Sequence, residues 1–594
     1  TSGPGFTVFT GNNTYTGETL VGSGTLAIGD GVTTSGTLGT GKAKVEASSI
    51  LAFNRPDALA VTGEVYGSGT VAQNGSGTTT LNGAAGTTNS LNFVAVDGTL
   101  ATGVDNTINT TGTLTFGATS GAATAAALDL TNGSATTGAV LVQTNSGTPN
   151  ALTIGAGKTL TTNGNVTIGT NSTAIASAAV TSLTLSGNGA WLVNQPSGTF
   201  QVGGATTTDN GNKGTVDMSG LAAFTADLGS AGIFRIGDVV GSSTGGGNNS
   251  STVTLADTST ITAGIIGIGD RNGSAAGLGT LKLGAVSNTL NADRINIGQN
   301  NIDARGTGLL TFNSGTGTLQ IRAADGVGRA TLDILNSVAG TGIALTGTVD
   351  LLGHSSDVLL NTLTIASSTS GNGAKTGTFS FDTGVLDVTT VVLGRKTGGG
   401  GTTATSGTLN IGGGVVAIGA GGVTMGQNTT GTDTASTAAG VVNLTGGSVS
   451  VGGNITHAGS AGGARISSAT LNLDGATLDM QGNAIGDGTN AVASTFASGT
   501  LQNLGELNGG AVLDKTTGGT LILDTANTYT GGTTVSAGTL LVNNSTGSAT
   551  GTGSVTVSLG ATLGGSGIIS GPTTILGAHT PGNSPGLQDF GSDL

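Results

Sequence analysis

Carboxylates and guanidinium groups collect in one stretch of an otherwise weakly charged chain. Asp270, Arg271, Asp293, Arg294, Asp303, Arg305, Arg322, Asp325 and Arg329 lie in the middle of 594 residues of which 8% are charged. Such groups can do chemistry on polysaccharides. Glycoside hydrolysis needs two carboxyls about 5 to 9.5 Å apart. Elimination at a sugar acid needs a basic residue beside a carboxylate or a cation cluster. The candidate cleft residues are Asp270, Asp293, Arg294, Asp303 and Arg305. The competing reading is a solvated series of surface ion pairs, each contributing little.

Other site chemistry is sparse. There is no Cys, so no disulfide and no thiolate. His354, His457 and His579 are far apart, and none has a partner in its local sequence, so each reads as a surface residue and no metal site is expected. The single Trp, Trp191, is distant from the charged stretch and reads as a corner or cap residue rather than a sugar platform. Gly398 to Gly401 lacks the Lys-Ser/Thr of a phosphate loop and reads as a plain loop. No Gly-Asp-Ser-Gly protease motif and no Gly-Gly-x-Gly-x-Asp calcium repeat occurs. No cofactor is expected.

The elements that must carry these residues are strands. Gly supplies 114 residues, aromatics only 3%, yet mean hydropathy is +0.20. A chain like this cannot fill a large core with big side chains, and it is too aliphatic for disorder. It must bury small aliphatic residues in many thin layers. Apolar residues alternate at i and i+2 in Leu128-Asp129-Leu130, Leu281-Lys282-Leu283, Leu409-Asn410-Ile411, Leu471-Asn472-Leu473 and Leu521-Ile522-Leu523. Period-2 alternation is the strand signature. Asn-Gly pairs at 74, 82, 132, 272 and 508 punctuate it.

The strands recur in kind. Ile28-Gly29-Asp30, Ile236-Gly237-Asp238, Ile268-Gly269-Asp270, Ile297-Gly298-Gln299, Leu393-Gly394 and Met425-Gly426 are copies of one unit. A loose period of about 20 to 35 residues is a solenoid signal. The expected fold is all-β: a single right-handed parallel β-solenoid over residues 1–594, right-handed because parallel crossovers almost always are. At about 25 residues per rung this gives about 24 rungs and a rod of about 110 Å.

The formal net charge is −14, and no basic run exceeds Arg395-Lys396, so no nucleic-acid partner is expected. No stretch of 18 or more apolar residues would form a transmembrane segment. The start has no basic and apolar signal regions, so the expectation is that either a signal peptide has been removed or the sequence begins downstream of one.

Two segments carry a more specific pattern. Asn13-Thr14-Tyr15-Thr16-Gly17-Glu18-Thr19-Leu20-Val21-Gly22-Ser23-Gly24-Thr25-Leu26 shares its spacing with Asn527-Thr528-Tyr529-Thr530-Gly531-Gly532-Thr533-Thr534-Val535-Ser536-Ala537-Gly538-Thr539-Leu540. Both resemble the autotransporter-associated β-strand repeat, Asn-x-Tyr-Thr-Gly-x-Thr-x-Val-x-x-Gly-Thr-Leu. Gly560 to Gly567 and Pro581 to Gly586 are similar to the same family. The resemblance covers residues 1–40 and 510–594 closely and the rest in composition. It implies a right-handed β-helix at the surface of, or released from, a Gram-negative-type bacterium. The alternating strands and aromatic girdles of an outer-membrane barrel do not occur, so anchoring by a barrel within these residues is not expected.

The functional expectation is an extracellular structural or adhesive stalk, not an enzyme, that meets a host, cell-surface or matrix ligand. Its rival is a carbohydrate-active β-helix enzyme using the charged middle. Self-association head to tail is expected through Phe6, Val8 and Phe9 at one end and Ile568, Ile569, Leu587, Phe590 and Leu594 at the other, because open strand edges template further pairing. Tyr15 and Tyr529 are expected to pack in turns.

Overall fold

The computed structural model describes residues 5–117, 125–143, 149–170, 180–203, 213–237, 249–270, 276–298, 305–337, 344–369, 373–398, 403–429, 435–582 and 586–594. Every regular element among them is a β-strand. The strands pair in parallel and close a β-solenoid, as the alternation predicts. The residues form two compact units. One holds Thr1–Asp293, Leu310–Gly317 and Ala324–Gly326; the other holds Arg294–Leu309, Thr318–Ala323 and Val327–Leu594.

In the first unit one inward position stacks rung upon rung. Leu26, Leu51, Val71, Phe93, Leu114, Val140, Val166, Phe200, Phe234 and Ile266 are register partners in sequence, and all are buried. A single rung has nothing to bury these side chains against; stacking supplies neighbours about 4.8 Å above and below. Trp191 is not at a corner or cap. It is fully buried, 5.7 Å from both Phe200 and Phe224 between ring centroids, and its indole N–H donates to Thr162 Oγ1 at 3.0 Å. The reason is size: where a rung offers Trp and Phe together, the layer widens to bury them and supplies a hydroxyl for the N–H.

The second unit repeats the scheme with Ile295, Leu332, Leu363, Val391, Val423 and Ile455 in register. Among the described residues rung length varies from 16 residues, Thr562 to Ala578, to 37, Ile295 to Leu332. The variation leaves at the corners, so the stacked strands keep their register.

The Ile-Gly recurrence marks one corner. Ile297, Ile334, Ile365, Leu393 and Met425 stack in register, and the residue after each is left-handed: Gly298 (φ 60), Leu335 (φ 53), Ala366 (φ 57), Gly394 (φ 63) and Gly426 (φ 60). Glycine enters that region without a Cβ penalty, whereas Leu335 and Ala366 pay it. A second column, Gly347, Gly377, Gly407 and Gly440, faces this corner. A Cβ on Gly407 would lie 2.2 Å from the Ile365 carbonyl oxygen, and one on Gly440 would lie 2.7 Å from Met425 Cβ. Glycine is used here because two strands approach to backbone contact. On another face Asn410, Asn443 and Asn472 form a ladder: Asn443 Nδ2 donates to Asn410 Oδ1 and Asn472 Nδ2 to Asn443 Oδ1, both at 2.8 Å.

Candidate functional site

The charged middle resolves into ion pairs. Asp270 is nearly buried, with its carboxylate 3.7 Å from Arg235. Asp293 accepts the Ala324 backbone N–H at 3.1 Å. Arg294 reaches Asp333 at 3.1 Å. Arg322 meets Asp357, and Arg329 holds Asp387 through two nitrogens at 3.0 and 2.8 Å. Asp303 lies outside the described residues, and only the backbone of Arg305 is described. Arg235, Arg294, Arg322 and Arg329 thus each face a carboxylate, and two of those carboxylates, Asp270 and Asp333, are buried. Asp333 is the more deeply buried of the two. Desolvation pushes its carboxyl above the ordinary value, while Arg294 opposes that shift.

The sequence reading missed three interior cations. Lys375, Lys396 and Lys515 are buried. Lys396 Nζ donates to the Thr403 carbonyl and hydroxyl at 3.3 and 3.1 Å, and Lys515 donates to Thr517. Desolvation, with Lys396 nearby adding to it, lowers Lys375 to about 8. Nothing in the local sequence distinguishes these lysines from exposed ones, because the alternation that turns them inward includes polar residues as well.

Two histidines also depart from the surface reading. His457 Nε2 lies 2.9 Å from Ser467 Oγ, and its Nδ1 lies 2.9 Å from the Ala491 carbonyl. His579 pairs with Gln588 at 2.7 Å and meets the Phe590 ring edge-on at 5.6 Å. These partners come from other rungs or turns, so a local search cannot find them.

The two repeat segments share one geometry. Phe6–Phe9 pairs Thr25–Ile28, and Thr520–Leu523 pairs Thr539–Val542, each at a register offset of 19 residues. The Tyr15 hydroxyl is 2.7 Å from Thr19 Oγ1; that of Tyr529 is 2.6 Å from Thr533 Oγ1. Asn13 and Asn527 each donate from Nδ2 to a carbonyl of the next rung, Thr37 or Ala549, at 2.7 Å. A glycine of that next rung, Gly39 or Gly551, lies on the tyrosine: an added Cβ would be 2.1 or 2.0 Å from the tyrosine carbonyl oxygen. The shared pattern thus extends to Gly39-Thr40-Gly41-Lys42-Ala43-Lys44-Val45 and Gly551-Thr552-Gly553-Ser554-Val555-Thr556-Val557, a correspondence the motif alone did not include.

The two copies differ in cover. Thr533–Val535 has strands on both edges, Leu513–Lys515 and Val555–Val557, and Glu506 accepts from the Thr530 N–H and hydroxyl at 3.2 and 2.8 Å. Among the described residues Thr19–Val21 pairs only Ala43–Val45, and Phe6–Phe9 only Thr25–Ile28. Phe6, Val8 and Leu20 are exposed there, and Phe9 is half-buried. In the other segment Ile569 is buried and registers with Phe590, Ile568 and Phe590 are half-buried, and Leu587 and Leu594 are exposed.

The parallel solenoid thus uses one Tyr–Thr rung twice, at Tyr15–Thr19 and at Tyr529–Thr533. Residues 2–28 and 513–542 match the family described as passenger-associated-transport-repeat. The adhesin BmaC autotransporter of Brucella suis biovar 1 (strain 1330) is 34% identical over 123 residues, which is 20% of this chain and 4% of that protein. The chain thus spans a small part of the curated relative it matches. No solved structure matches. These similarities indicate an extracellular or cell-surface location in a Gram-negative-type bacterium. No helix among the described residues is long and apolar enough to cross a membrane.

Proposed function

We propose that the chain is an adhesive stalk whose copies join head to tail. The supporting observation is the pair of equivalent repeats, one covered on both edges by parallel strands and one with an apolar edge formed by Phe6, Val8 and Leu20. The rung that covers the second repeat is a template for what the first would accept: a parallel strand added at backbone spacing. A contact between the edge at Phe6–Phe9 and the region of Ile568, Phe590, Leu587 and Leu594 on another copy would be heterologous and would not close, so it yields a fibre. The adhesive part rests on the resemblance to an autotransporter adhesin, and the ligand is on a host cell, another cell surface or matrix.

Sedimentation and electron microscopy over a concentration series test the assembly, with deletion of residues 1–9 as the variant. Filaments that disappear in the deletion support it; monomers at every concentration overturn it. Binding of the wild-type chain to cell- and matrix-coated surfaces tests adhesion separately. Cleavage of a polysaccharide by purified protein, lost when Asp293 and Arg294 are both changed to Ala, would replace the stalk with the enzyme.

A further inference from the structure

His457 occupies a position that packing does not reserve for an imidazole. It follows Ile365, Leu393 and Met425 in one register column, where each earlier rung places an aliphatic or thioether side chain. Its two ring nitrogens are both engaged, Nδ1 with the Ala491 carbonyl and Nε2 with Ser467 Oγ, each at 2.9 Å. A carbonyl oxygen only accepts. In the neutral ring Nδ1 therefore carries the proton, Nε2 holds the lone pair, and the Ser467 hydroxyl donates into it. That is the polarity base activation of a serine requires: hydroxyl to base, and base oriented by a third group. Both side chains are half-buried, so they are held yet reachable. The adjoining turn carries Gly459, Gly462 and Gly463, all left-handed, and a Cβ on Gly462 would meet nothing within 4 Å. Ile466 and Ser468 flank Ser467 in one strand and turn to the opposite, exposed face, while Ser467 shares its face with buried Ala469.

We propose that Ser467 is a nucleophile activated by His457 and that it accepts an acyl group from an ester. Ser467 Oγ bonds to the ester carbonyl carbon while its proton passes to His457 Nε2. The bond from that carbon to the alkoxy oxygen breaks, and the leaving alcohol takes the proton from Nε2. The product is an acyl ester on Ser467. Water, deprotonated by the same nitrogen, then attacks this ester and releases the carboxylic acid and free Ser467. Ala491 acts as a positioning residue through its backbone carbonyl.

The test treats the intact chain with p-nitrophenyl acetate and, separately, a fluorophosphonate probe, and maps the labelled peptide by mass spectrometry. Ser467 should be labelled well ahead of its exposed neighbour Ser468. Ser467→Ala should remove that label. His457→Met should slow it by about 10² to 10⁴, the usual range for a general base, and should fold because Met425 fills the same column one rung earlier. Should that variant not fold, carbethoxylation of His457 in the folded wild-type chain must produce the same loss. Labelling of Ser467 no faster than Ser468, or at an unchanged rate without a free His457 ring, overturns the proposal.

Discussion

The Tyr529 hydroxyl sits 2.6 Å from Thr533 Oγ1, four residues along the chain, with both side chains buried. Tyr15 and Thr19 make the same contact in the other repeat, but Tyr15 is 37% exposed. The same motif therefore performs the same local bond in two environments, and the environments set its worth. Burial holds the Tyr529 phenol far above its ordinary value, so it stays a hydroxyl at any working pH.

Tyr529→Phe should destabilise its rung by about 1 to 3 kcal/mol, because it strands a buried hydroxyl on Thr533. Tyr15→Phe should cost no more than about 0.5 kcal/mol, since water can replace the lost partner. Native-state hydrogen exchange at the Thr533 and Thr19 amides reads the two separately. Equal effects would contradict the difference in cover.

At the left-handed corner, Gly394→Ala and Ala366→Gly should act in opposite directions. A Cβ on Gly394 would lie 1.9 Å from the Ala439 carbonyl oxygen, whereas Ala366 already carries a Cβ at φ 57. The first change should lower the melting temperature. The second should leave it equal or higher, relieving about 1 kcal/mol of left-handed strain. Paired thermal melts decide this, and a loss of stability in Ala366→Gly would count against it.

Lys375 should make stability depend on alkaline pH. Its ordinary value of 10.5 falls to about 8 in the folded chain, chiefly through burial. Between those values the unfolded chain holds a proton that the folded chain has released. Stability therefore rises as pH rises from about 8 to 10.5 and is lost on acidification through that window. In Lys375→Met, denaturation curves across this range should show a smaller slope with pH.

The single Trp offers a probe of the first unit. Trp191 is buried among Phe200 and Phe224, so acrylamide should quench its emission weakly in the folded chain. Phe224→Ala removes one wall of that cluster and should cost about 3 to 5 kcal/mol. Its indole emission should shift to the red at lower denaturant than in the wild-type chain. An unchanged midpoint would show that the cluster contributes little.

Much of the solenoid was legible because its determinants are local. Alternation at Leu409-Asn410-Ile411 reports which residues turn inward, and Ile-Gly reports a corner. The rungs at Ile334 and Ile365 escaped that pattern, since Leu335 and Ala366 enter the left-handed region without being Gly. Their conformation is imposed by rungs above and below, not by their own preference. In the charged middle Arg294 pairs with Asp333, a residue the sequence did not single out, because register over a rung of 37 residues cannot be counted from sequence. Trp191 was misplaced for the same reason. A side chain's depth depends on what lies one rung away, and that distance is not constant.

The buried lysines carry a consequence for life outside a cell, where proteases are abundant. Trypsin cuts after Lys or Arg, and this chain offers only 17 such residues in 594. Lys375, Lys396 and Lys515 sit in strands with their side chains turned into the interior. A protease needs several residues pulled out in extended form, and the strands of Lys375 and Lys396, bonded along both edges, cannot yield them without opening their rungs. Cleavage at these two sites should therefore follow unfolding rather than precede it. The same inward alternation that makes the layers also conceals the cutting points.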